Sequence, residues 1–169
     1  PGTYLVNATL RIPDNVIVRG SGVGVTILCY NYSNFIVTAA DDAMICSEGR
    51  DNIGGVTRFG LEDLTLKVVS LGTAGFKGID FAGAAYAHAK NIEVLSESPG
   101  DVLGLGIGLQ FADYGPVVTT DKACQYNRVY GVTIRGWRTG FIQKSLTALS
   151  TGPVGNLIQG LHGTGLLYG

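Results

Sequence analysis

Apolar residues alternate with others in five short segments: Val16-Ile17-Val18-Arg19-Gly20, Leu64-Thr65-Leu66-Lys67, Ile92-Glu93-Val94-Leu95, Val132-Thr133-Ile134-Arg135-Gly136 and Ile158-Gln159-Gly160. A period of two marks a strand with one buried face. A second set opens on glycine: Gly78-Ile79-Asp80-Phe81, Gly108-Leu109-Gln110-Phe111, Gly140-Phe141-Ile142-Gln143 and Gly165-Leu166-Leu167-Tyr168, at spacings of 30, 32 and 25 residues. Both sets keep one order along the chain, so each repeat contributes a strand of each kind. The repeat is most explicit near the end of the chain. There Ile134–Phe141 returns as Ile158–Leu166 with one residue inserted, and Gly160 follows Gly136 by 24 residues.

A unit of this size cannot bury its apolar face alone. Stacking such units at the ~4.8 Å strand spacing buries a continuous column and pairs each backbone with the next. Strands that all run the same way around must be parallel. The only helix-friendly stretch, Ala84–Ala89, is short, and crossover helices between parallel strands are not visible. The pattern therefore predicts an all-β, single-domain parallel solenoid over residues 1–169, with about five rungs. Loop insertions are expected near residues 29–58 and 112–127, where polar stretches interrupt the rhythm.

Composition narrows this picture. Charged residues are 15% of the chain against ~25% in an average domain, and the 26 glycines suit short strands joined by tight corners. A formal net charge of −1 gives no electrostatic ground for nucleic acid or an anionic membrane as partner. No apolar run reaches the ~18 residues of a membrane span. Cys29, Cys46 and Cys124 are widely spaced and read as small buried strand residues. Neither a metal pattern nor a cofactor motif is present; Gly20-Ser21-Gly22-Val23-Gly24 lacks the helix and lysine of a phosphate loop.

The opening residues Pro1-Gly2-Thr3-Tyr4-Leu5, Leu10-Arg11-Ile12-Pro13 and Val16–Leu28 closely resemble the first rungs of pectate-lyase-like right-handed parallel β-helix proteins. That family includes bacteriophage tailspikes and bacterial polysaccharide lyases and hydrolases. The resemblance covers residues 1–28, with the Asp63-Leu64-Thr65-Leu66 rung as a further match. It implies a tailspike-type module that binds, and as an enzyme would depolymerise, a bacterial surface polysaccharide. Homotrimeric assembly and location in the phage tail, or secretion, belong to the same expectation. A bacterial lyase or glycoside hydrolase of the same fold and a non-catalytic structural or adhesive β-helix are the alternatives. In this family residues usually precede the Pro-Gly-Thr-Tyr motif, so the chain is expected to be a piece of a longer protein or to have both ends covered by a partner.

Hydrolysis would require two carboxylates flanking the scissile bond. The expected pair is Asp80 and Asp113. Asp80 lies between apolar neighbours and is expected to face solvent. Asp113 falls one rung later, roughly 11 Å away, and faces the same side only if the chain turns near Ala112. Asp41-Asp42 reads as a polar loop. Arg135, Trp137 and Arg138, followed one rung later by Gln159 and His162, form the expected substrate-binding strip, with guanidinium on sugar carboxylate and indole on a pyranose face. His88 and His162 lack metal-site spacing and read as surface or corner residues.

Overall fold

The structure, a computed structural model, describes residues 1–31, 42–50, 58–69, 76–97, 106–113, 124–145, 153 and 155–164. Short alternating segments bounded by Gly, Asn and Asp give twelve strands among these residues. They are β1 (Gly2–Val6), β2 (Leu10–Ile12), β3 (Val16–Arg19), β4 (Thr26–Tyr30), β5 (Ala43–Ser47), β6 (Phe59–Val68), β7 (Lys77–Asp80), β8 (His88–Ser96), β9 (Ile107–Asp113), β10 (Arg128–Arg135), β11 (Thr139–Ser145) and β12 (Leu157–Thr164). A 3-10 turn at Glu48–Arg50 is the only helical element among the described residues. The chain is all-β, and Ala84–Ala89, the one helix-friendly stretch, passes through a parallel bridge from Ala85 to Gln125 and a bend at Tyr86 into the start of β8.

Two sheets result. The first has the order β1-β4-β6-β8-β10-β12 with β3 also beside β6, and the second has the order β11-β9-β7-β5-β2. Every pairing is parallel. From β5 onward the chain alternates between the sheets, as two interleaved strand sets require.

The long strands of the first sheet each bend at one residue. Asp63, Asn91, Gly131 and Gly160 occupy equivalent positions, with φ of 57°, 53°, 59° and 68°. This left-handed backbone suits Asn, Asp and Gly and turns the strand into two arms. The Asn91 amide donates to Asp63 Oδ1 at 2.8 Å, tying two of the bends together. At the start of the chain, separate strands supply the two arms. β3 pairs with Phe59–Glu62 of β6, and β4 pairs with Thr65–Val68.

The interior is one apolar cluster drawn from both sheets, including Leu61, Leu64, Leu66, Ile79, Val94 and Ile134. Phe59, Phe81, Phe111 and Phe141 form a chain of ring contacts at 5.0–5.6 Å. Gly78 and Gly108 stack in register, as the sequence spacing predicts. A Cβ on Gly78 would come 2.4 Å from Val94, and one on Gly108 2.4 Å from Ile134, so glycine there lets the two sheets close on each other. All three cysteines are buried thiols, none joined in a disulfide.

Three expectations need correction. The closing repeat has a longer period: Arg128 pairs with Leu157, 29 residues on, so Gly160 stacks on Gly131 and not on Gly136. Val16–Arg19 pairs with Phe59–Glu62, while the partner of Leu64–Lys67 on that side is β4. The span 29–58 is not wholly an insertion, because it contains β5, buried along its whole length. The strand expected at 165–168 lies outside the described residues.

Candidate functional site

The first arm of the first sheet alternates clearly. Phe59, Leu61, Ala89 and Val129 point inward and are buried. The opposite face presents two register columns to solvent. One is Ile17–Gly60–His88–Arg128–Leu157, and the other is Arg19–Glu62–Lys90–Tyr130–Gln159. A third column, Arg58–Tyr86–Tyr126–Gly155, stands at the corner where the chain enters this arm. Residues of the corner and central columns line two concavities, to which Tyr130 of the outer column also contributes.

The corner is built by backbone strain and buried amides. Tyr86 and Tyr126 have φ of 58° and 54°, a left-handed conformation that costs of order 1–3 kcal/mol for a non-glycine residue. Asn127 holds the first corner. Its Oδ1 accepts from the Ala87 amide at 2.9 Å and its Nδ2 donates to the Ala84 carbonyl at 3.0 Å. Asn156 repeats the device one strand later, accepting from the Asn127 amide at 2.9 Å and donating to the Cys124 carbonyl at 3.0 Å. Buried turn groups that would otherwise lack partners are thereby satisfied, and both tyrosines are fixed pointing outward.

Their rings stack at 5.3 Å with planes 17° apart, and the Arg58 guanidinium lies 5.9 Å from the Tyr86 centroid. The two tyrosines remain 63% and 46% exposed. Two shallow concavities adjoin this ridge. One, of about 200 Å³, is lined by Asn15, Val16, Ile17, Arg58, Phe59, Tyr86 and His88. The other, of about 290 Å³, is lined by Tyr86, Ala87, His88, Tyr126, Arg128 and Tyr130.

His88 joins the two concavities. A Cβ at Gly60 would lie 2.5 Å from its ring, so the missing side chain gives the imidazole its place. Its Nε2 is 2.9 Å from Glu62 Oε1, and Arg19 Nε donates to Glu62 Oε2 at 2.6 Å. The hydrogen bonds from His88 and then from Arg19 hold the Glu62 carboxyl below the usual carboxylate range. Glu62 is therefore an ionised, cation-paired group and a poor general acid.

Of the two expected catalytic carboxylates, Asp80 is held inside the protein. Asp80 is 1% exposed, against the expectation that it faces solvent. Alternation fails as a guide here because strands of the second sheet are buried on both faces. Asp80 Oδ2 meets Arg50 Nη1 at 3.3 Å, and its Oδ1 accepts from Gln110 Nε2 at 3.1 Å and from the Ala82 amide at 3.0 Å. Arg50 also donates to Asp42 Oδ1 at 2.7 Å, and Lys77 pairs with the same carboxylate. Asp80 thus belongs to an internal ion network. Asp113 ends β9 opposite Ser145; its side chain lies outside the described residues, as does Asp41.

The expected binding strip is divided. Trp137 is 1% exposed, its indole donating to the Val94 carbonyl at 3.2 Å, so it offers no free face to a sugar. Arg135 pairs with Glu93 at 2.9 Å on the second arm. His162 shares that face, paired in register with Thr133, while Arg138 is half-buried beyond the end of β10. Gln159 alone lies on the first arm, next to Tyr130 in the outer column. The 24-residue register had placed Gln159 beside Arg135, and the 29-residue register separates them.

Sequence reasoning missed Tyr86, Tyr126, Tyr130, Arg58, Arg128 and His88 as a group. One signal was available: Tyr86 precedes His88, and Tyr126 precedes Arg128, by the same two residues at the start of successive strands. Among the described residues, no group of three or more His, Cys, Asp or Glu could hold a metal ion, and no helix is long and apolar enough to cross a membrane. The chain matches no known protein family, no curated protein and no solved structure.

Proposed function

We propose that this chain is a right-handed parallel β-helix module of the tailspike type, which binds a bacterial surface polysaccharide along the groove between Tyr86–Tyr126 and Tyr130. The interleaved parallel sheets support the β-helix reading, since each turn of the chain contributes one strand to each. The observation that carries the functional reading is the exposed tyrosine ridge, stacked at 5.3 Å and bordered by Arg58, His88 and Arg128. Exposed aromatic edges with polar tips, beside cationic forks, suit a ligand that is apolar on its ring and rich in hydroxyls.

Successive strands step by ~4.8 Å along the stacking direction, so an extended chain laid that way spans several strands. A linear glycan lying in that direction meets the tyrosine ridge on one side and His88 and Arg128 beneath it. Assembly as a homotrimer on a virion tail belongs to this reading, and sedimentation of the protein tests the trimer.

Binding to a panel of bacterial capsular and O-antigen polysaccharides tests the function. Tyr86→Ala combined with Tyr126→Ala is expected to weaken binding by about tenfold or more. If the panel yields no ligand, the reading is wrong. Loss of binding in Arg135→Ala and His162→Ala, with the tyrosine variant unaffected, would move the site to the second arm.

A further inference from the structure

The larger concavity has an unusual composition for a shallow surface site. It is lined by three tyrosines, an arginine, a histidine and an alanine, with no carboxylate. The hydroxyls of Tyr86, Tyr126 and Tyr130 have no hydrogen-bond partner among the described residues, and Arg128 has no carboxylate partner there. Lys90, next to Tyr130 in the outer column, is exposed and likewise unpaired among those residues.

The charge balance of the groove points the same way. Its three columns hold Arg19, Arg58, Lys90 and Arg128 against one carboxylate, Glu62. That carboxylate is already engaged by Arg19 and His88. Asp14 and Asp63 stand at the borders, where each accepts from an asparagine amide, Asn15 and Asn91 respectively. The end of the groove around Arg128 and Lys90 is left with cations and hydroxyl donors in a chain whose formal net charge is −1. A site made only of such groups repels a metal cation and favours an anion, because guanidinium and phenol groups all donate toward it.

We propose that this concavity is a subsite for an anionic substituent of the bound glycan, a carboxylate or a phosphate, held by the Arg128 guanidinium with hydroxyls of the surrounding tyrosines. This rests on reading the groove as a polysaccharide site, and adds that Arg128 sets its preference for acidic over neutral chains. Lys90 supplies longer-range attraction, while the planar fork of Arg128 supplies geometry that a lysine does not reproduce.

The test compares binding of the intact chain to polygalacturonate, its fully methyl-esterified form, dextran and a glycerol-phosphate polymer. The expected result is binding to at least one of the two acidic polymers, about tenfold or more tighter than to the esterified chain and dextran, and weakening with salt. A preference for polygalacturonate identifies the substituent as carboxylate, and one for the phosphate polymer as phosphate. Arg128→Met should remove that preference and Arg128→Lys should restore only part of it. Lys67→Met, on the second arm where Lys67 pairs with Glu97, should leave it intact. Unchanged thermal unfolding of the Arg128 variants separates lost recognition from lost folding. Equal affinity for acidic and neutral chains, or an acidic preference that survives Arg128→Met, overturns the subsite but leaves polysaccharide binding standing. Absence of binding to all four polymers, together with the bacterial panel, overturns both.

Discussion

Tyr126 lies face to face with Tyr86, ring centroids 5.3 Å apart, because the next position in the same column is Gly155. A Cβ at Gly155 would stand 2.5 Å from Cδ1 of the Tyr126 ring. The tyrosine ridge therefore depends on an absent side chain one strand away. Its other end is covered by the Arg58 guanidinium, 5.9 Å from Tyr86.

Gly155→Ala should accordingly cost stability twice over. Its φ of 66° disfavours any L side chain by about 1–2 kcal/mol, and the new methyl displaces the Tyr126 ring. Urea unfolding is expected to show a loss of about 1–3 kcal/mol in all. In a Tyr126→Ala background the steric share disappears and the backbone share stays, so the two substitutions should be non-additive. Strict additivity would mean that the ring does not rest on Gly155.

Asp80 is a structural carboxylate, and its replacement should show in stability. Asp80→Ala leaves Arg50 buried with Asp42 as its remaining carboxylate partner among those described, and is expected to cost about 3 kcal/mol, the lower end for a broken buried pair. The double variant with Arg50→Met should lose less stability than the sum of the two single variants, because each single change already removes the same Asp80–Arg50 contact. An Asp80→Ala protein with unaltered denaturation midpoint would contradict the ion network.

Glu62 predicts a pH dependence with a definite sign. Its carboxyl titrates below the usual range in the folded protein, so ionised Glu62 stabilises the fold above the ordinary carboxylate pKa. That contribution is lost as the pH falls through the depressed value. Wild type should therefore unfold at higher temperature than Glu62→Gln at neutral pH, and the two curves should converge in acid. A gap that persists in strong acid would assign the effect to packing, not to the charge.

Much of the architecture was legible because it follows from local periodicity. The glycine-led strands fell into register at Gly78, Gly108 and Gly140, and Leu64, Ile92 and Val132 aligned as expected. The last repeat slipped by five residues for a physical reason. The bend is a backbone conformation, not a residue type, and Asp63, Asn91, Gly131 and Gly160 all adopt it. Matching glycine to glycine paired Gly160 with the wrong partner. Asp80 was misplaced because alternation assigns a polar residue to solvent only where one face of a sheet is wet.

The sequence alone determined an all-β chain of repeating strands. Apolar alternation and glycine corners leave a chain few other ways to bury its surface and satisfy its backbone. The tertiary structure decided the site. Arg58, Tyr86, Tyr126 and Gly155 are spread over about a hundred residues and share only one corner of successive strands. Parallel stacking converts that common position into a single ridge, and a stacking register is a property of pairing between strands that no one segment contains.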